Sequence, residues 1–248
     1  MLLQKAIGFK SMPKKNKRNI SAKTGGAEIQ SFLAKVAQLP RRQSGGENGR
    51  LIFALDATAS REPTWDVACD IQAEMFSETA SLGRLSVQLA YYRGFGEFYR
   101  GPFTDNSSAL LRDMVGVYCL GGRTQIAQVL DHALTEHVDK PVSALVFIGD
   151  ACEENVDELS HKAGEMGVRG LPVFMFHEGE DLTAGRAFRH IARLSGGSYC
   201  QFDSGSAKTL RELLGAVAVF AVGGRRALEN FQNRSGRKIL RLGPKGGA

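Results

Sequence analysis

The 248-residue chain is 43% hydrophobic, ordinary for a globular protein, and long enough to bury a core without disulfides or a structural metal. Its net charge of +6 conceals an asymmetry: residues 1–50 carry +9, residues 225–248 carry +6, and the stretch between them carries −9. The four cysteines form no C-x-x-C pair, which argues against a secreted disulfide scaffold or a zinc site, and no run reaches the roughly 18–20 apolar residues that span a bilayer.

Residues 1–49 read as a basic, largely flexible extension. The opening MLLQKAIGFK lacks an apolar h-region and a small-residue cleavage site, so secretion is not indicated and a cytoplasmic protein with reduced thiols is expected. Met12 offers an alternative start. Within the extension, residues 27–39 place Ile29, Phe32, Leu33, Val36 and Ala37 on one stripe, predicting a short amphipathic helix that docks on its own domain or on a partner. PRRQSGGENG (40–49) reads as a linker.

From residue 50 to 223 strand-like and helix-like segments alternate. The strand-like runs are RLIFALD, LSVQLAYY, SALVFIGD, LPVFMFHE and GSYCQF. The first, third and fourth are nearly continuous apolar, as parallel strands covered on both faces should be. LSVQLAYYRGFGEFYRGPF instead holds two strand-like pieces around RGFG, which predicts a hairpin carrying an antiparallel edge strand. Helical stripes follow at Ala68, Ile71, Met75 and Leu82, and at Ile126, Val129, Leu130 and Ala133. Two more helices are expected over Arg186–Leu194 and Ala207–Val222. The alternation predicts an α/β fold: a doubly wound, mostly parallel sheet with one antiparallel edge strand and helices on both faces. Residues 224–248 form a basic tail.

Ligands of such sheets collect at the carboxyl ends of the strands. Asp56 ends the first strand and Asp150 ends SALVFIGD, so both are expected on one rim. Thr58 and Ser60 follow Asp56 at two-residue steps, and Thr124 follows the Gly pair of LGGRTQIAQVL. All five residues offer oxygen, the donor type suited to a hard cation such as Mg²⁺. The same residues admit plainer roles. Asp56 and Ser60 could cap a helix starting near Pro63, Thr124 could cap one starting at Gln125, and Asp150 could end its strand in a turn.

DATAS, Thr124 and Asp150, in that order at three strand ends, resemble the metal-ion-dependent adhesion site of the von Willebrand factor A (VWA) family, in its bacterial intracellular type. The resemblance extends over residues 50–223 and includes HIARLSGGSYCQF. It implies a Mg²⁺ site, with Mn²⁺ or Ca²⁺ as alternatives, held by Asp56, Thr58, Ser60, Thr124 and Asp150. It also implies a protein partner whose Asp or Glu completes the coordination. The chain departs from the family pattern in three places: Thr58 stands for a Ser, Arg123 interrupts Gly-Gly-Thr, and IGDA replaces Thr-Asp-Gly. Glu153 and Glu154 read as an exposed helix start.

A catalytic alternative reads DATAS and GDACEE as a haloacid dehalogenase-like phosphoryl-transfer site with Asp56 as nucleophile. Lys140 and Lys162 are the nearby candidates to stabilise a phospho-aspartate. No G-x-x-x-x-G-K-[ST] loop, G-x-S-x-G elbow or H-E-x-x-H pair occurs, so a binding protein is expected rather than an enzyme. Cys152 reads as a passive small residue near the rim. The basic termini suggest nucleic-acid contact as a further activity, steeply salt-dependent and lost on removal of residues 1–25 and 225–248.

Overall fold

The computed structural model describes residues 31–32, 34–36, 49–65, 85–203, 210 and 212–222. Expectations for the basic termini, for residues 40–48 of the expected 40–49 linker and for the Ala68–Leu82 stripe lie outside these residues, while Gly49 belongs to the first strand instead of the linker.

Six strands form one sheet in the order β3-β2-β1-β4-β5-β6. They are β1 (Gly49–Asp56), β2 (Leu85–Arg93), β3 (Glu97–Arg100), β4 (Ala144–Gly149), β5 (Val173–Glu178) and β6 (Ser198–Phe202). All neighbours are parallel except β2 and β3, which pair antiparallel across the RGFG turn. The three continuous apolar runs are β1, β4 and β5, and every residue of each is buried. Two-sided burial is what permits such runs in a parallel sheet.

One face packs against α2 (Ile126–Asp139), α3 (Val156–Arg169) and α4 (Leu182–Leu194). The other face is covered by α1 (Ser107–Val115), the helical residues 212–222, Trp65, and Phe32 and Val36 from the helical residues 31–32 and 34–36. Phe32 lies 5.7 Å from the Phe174 ring and 5.6 Å from Phe176. Asn106, Asn155 and Asp181 cap α1, α3 and α4 by accepting amide hydrogens of the first turn. None of the described helices is long and apolar enough to cross a membrane.

Strand order reverses between β1 and β4, which is the position where open α/β sheets leave a crevice at their carboxyl ends. Asp56 is the last residue of β1, and Asp150 follows the last residue of β4. The fold thus sets both carboxylates at the switch point.

Candidate metal centre

The β1 loop begins with Asp56, whose side chain is fully buried. Its Oδ1 accepts the Thr58 amide hydrogen at 2.8 Å, and its Oδ2 accepts the Tyr92 hydroxyl at 2.9 Å. The first bond folds the loop back on itself, and the second comes from the residue opposite Asp56 in the β1–β2 register. Thr58 is buried, Ser60 is exposed, and their hydroxyl oxygens stand 3.1 Å apart. Residues 59–64 then make a 3-10 turn that contains Pro63, with Thr58 at its N-cap position and no side-chain capping bond. Asp56 therefore closes a local turn instead of capping a helix.

Thr124 does not cap α2 either. Its Oγ1 accepts the Glu153 amide hydrogen at 3.0 Å, joining the loop before α2 to the loop after β4. The cap of α2 comes from Glu154: the Ile126 and Ala127 amides donate to its two carboxylate oxygens, the second at 2.8 Å. This corrects the reading of Glu153 and Glu154 as the start of their own helix. Asn155 caps that helix, while Glu154 reaches back to the previous one. A carboxylate there is favoured by the amides and the partial positive charge of the helix start.

The three loops are stitched together by main-chain bonds. Ala57 donates to the Tyr92 carbonyl at 2.9 Å and Leu120 donates to Ala57 at 3.0 Å. Gly94 donates to Leu120 at 3.3 Å and Arg123 donates to Gly94 at 3.1 Å. A Cβ on Gly122 would lie 1.8 Å from the Gly94 carbonyl oxygen, so only glycine allows the Thr124 loop to approach the hairpin this closely.

The Asp56 and Asp150 carboxylates repel each other at this rim. Burial pushes the Asp56 carboxyl up, against the pull of its bonds from Thr58 and Tyr92, and the charge of Asp150 pushes it further. Burial, reinforced by Asp56, holds the Tyr92 hydroxyl well above its usual range, so it remains a donor. Asp150 Oδ1 is buried and has no hydrogen-bond partner. An orphaned buried acceptor costs about 1–3 kcal/mol.

The donor set fits a hard divalent cation. Asp56 presents two carboxylate oxygens held by Thr58 and Tyr92, and Asp150 Oδ1 keeps both of its lone pairs unused. The Thr58, Ser60 and Thr124 hydroxyls add neutral oxygen, and two carboxylates match a charge of two. Among the described residues no three His, Cys, Asp or Glu side chains gather as a metal cluster. A cation here would rest on two carboxylates and hydroxyls.

Several side chains at the rim carry no signal in the local sequence pattern. Arg61, on the 3-10 turn, is buried and pairs with Glu178 at the end of β5 at 2.7 Å. Tyr92 was legible only as the second member of a Tyr-Tyr pair at a strand end. His177 is buried and accepts from or donates to the Tyr199 hydroxyl at 2.9 Å, and burial lowers its pKa. Cys152 is buried with its thiol pushed up by desolvation, as a passive residue should be. Neither candidate lysine reaches the rim. Lys140 follows the C-terminus of α2, where its carbonyl accepts from Arg50 at the opposite end of β1. Lys162 is engaged by Asp131 of α2 at 2.7 Å.

No protein-family model matches this sequence, and no curated protein does. Solved structures do match in fold. The SpRpn10 VWA domain superposes with a TM-score of 0.54 and 13% identity, over 67% of this chain and 94% of that one. A von Willebrand factor type A protein from Catenulispora acidiphila gives 0.55 and 15%, over 69% of this chain and 43% of that one. An aerotolerance-related membrane protein from Bacteroides fragilis NCTC 9343 gives 0.52 and 15%, over 66% and 98%. The chain thus spans less than half of the Catenulispora protein and nearly all of the other two. At these identities the likeness is one of fold, and the fold is that of VWA domains.

Proposed function

We propose that the chain is a protein-interaction module whose rim binds Mg²⁺ through Asp56, Thr58, Ser60, Thr124 and Asp150, and whose partner supplies an Asp or Glu. The observation that carries this reading is the pair of carboxylates at the switch point. One has a raised pKa, the other has a buried oxygen with no donor, and each would gain from a cation. When bound, the ion would supply an electrophilic position open to an outside carboxylate, because three of its five protein ligands are neutral hydroxyls.

This chain's own residues would do the positioning. Tyr92 and the Thr58 amide orient Asp56, Glu153 orients Thr124, and Gly122 lets the Thr124 loop close on the hairpin. Phosphoryl transfer from Asp56 is the weaker reading, since Lys162 is paired with Asp131 and Lys140 lies past the far end of α2.

Calorimetric titration of chelator-treated protein with Mg²⁺ and Mn²⁺ tests the proposal. Wild type should bind one ion, and Asp56→Ala and Asp150→Ala should each weaken binding at least about tenfold, or roughly 1.4 kcal/mol. Absence of binding by wild type at millimolar metal, or equal binding by both variants, would remove the metal from the account.

A further inference from the structure

The hairpin between β2 and β3 ends on the same rim as Asp56, because β2 runs parallel to β1 and Tyr92 lies opposite Asp56. At its tip Phe95 stands between two glycines in the left-handed region, Gly94 at φ 59° and Gly96 at φ 107°. Turn tips of this kind are served well by small polar residues. Here the tip instead presents a phenyl ring that is 83% exposed. Beside it, Leu120 and Tyr118 are 38% and 62% exposed on the loop that leads to Thr124. Tyr118 is held rather than loose: the Arg93 guanidinium lies 4.0 Å from its ring centroid and donates to its carbonyl at 3.2 Å. Arg93 is in turn fixed by Glu97 at 2.8 Å. The fold gains nothing from leaving three large apolar side chains in water together, so the patch reads as a contact surface. Its composition of Phe, Tyr and Arg is that of interface anchors.

The patch is continuous with the candidate metal loops. Leu120 donates to the Ala57 carbonyl in the Asp56 loop, and the Arg123 amide, just before Thr124, donates back to Gly94 at the tip. Arg123, exposed at this junction, directly precedes Thr124 in the chain and carries a positive charge. An occupant must therefore be anionic at one point and apolar just beside it. Resting on the metal reading above, we infer that the partner segment carries an Asp or Glu flanked by bulky apolar side chains. The carboxylate faces the ion and Arg123, and the apolar neighbours cover Phe95, Tyr118 and Leu120. A single-stranded nucleic acid could also stack on such rings. A phosphate backbone is bound by several cations along its length, whereas Arg93 at this patch is already paired with Glu97, which favours the peptide.

The test uses the full chain and two capped probe peptides, Ac-Leu-Leu-Asp-Leu-Leu-NH₂ and Ac-Gly-Ser-Asp-Ser-Gly-NH₂, with oligo-deoxythymidine as a third probe. In saturating Mg²⁺ the Leu-flanked peptide should bind at least about tenfold more tightly. Phe95→Ser and Tyr118→Ser should each abolish that preference while leaving the calorimetric Mg²⁺ affinity unchanged, which also shows that the rim is still folded. Chelator should release the peptide. Mg²⁺ binding with no preference between the peptides, or with no binding of either, overturns this inference alone. Absence of Mg²⁺ binding overturns the underlying metal reading. Peptide binding that survives chelator, or oligo-deoxythymidine binding that depends on Phe95, also overturns the inference.

Discussion

Asp56 illustrates how a single buried charge can be arranged so that something else must balance it. Its hydrogen bonds from Thr58 and Tyr92 lower its pKa, yet burial raises it by more, so in metal-free protein the ionised form is disfavoured relative to water. The folded pKa then lies above the unfolded one. Stability is therefore fullest below the unfolded value of 3.8 and declines as pH rises through the raised folded value. Asp56→Asn keeps the size and an acceptor for the Thr58 amide, and it removes the charge. In chelator, the variant should be more stable to urea than wild type at neutral pH, and the gain should vanish as the pH falls below 3.8. A variant that is no more stable at neutral pH would mean that the Thr58 and Tyr92 bonds outweigh the burial. That result would undercut the case for a cation at this carboxylate.

At the scale of elements, the strands were open to reading and the ties between loops were not. β1, β4 and β5 are unbroken apolar runs, and the turn at RGFG marks its hairpin directly, because both signals are local. Helix α1 was missed: only Leu110 and Met114 of its nine residues are buried, too sparse a stripe to stand out. Thr124 looked like a cap for the helix that follows it. The donors of that helix are instead satisfied by Glu154, 28 residues beyond Ile126, and no local pattern carries such a partnership. Asp56 and Asp150 could be placed on one rim because strand ends are legible and the sheet rule applies to them. Their hydrogen bonds could not. Gly122 belongs to the same class, since its requirement comes from the distant Gly94 carbonyl. Gly122→Ala should push the Thr124 loop off the hairpin, cost about 1–3 kcal/mol of stability, and weaken Mg²⁺ binding roughly 10- to 100-fold, as loss of supporting contacts does. Unchanged affinity in the calorimeter would mean that Thr124 is not a ligand.

For the whole molecule, the sheet needs cover on both faces, and part of that cover comes from ahead of the first strand. Phe32 is buried against Phe174 and Phe176, so Phe32 and Val36 belong to the core. Phe32→Ala should destabilise the protein by about 3–5 kcal/mol, read as a lowered urea midpoint with unchanged slope. A loss below about 1 kcal/mol would mean that the segment only rests on a core complete without it.

Helix α2 has one further property that follows from its two ends. Its first turn hangs from Glu154, in the loop beside Asp150, while its last turn is gripped by Arg50, which bonds the Glu136 carboxylate at 2.9 Å and the Lys140 carbonyl. Fourteen residues at the helical rise make a rod about 21 Å long. A rod clamped to the sheet at both ends cannot slide or tilt without breaking one clamp. The β4 loop and the far end of β1 are thus tied to one rod. A displacement of the loop at one rim is opposed both by the packing of α2 on the sheet and by the Arg50 clamp at the other.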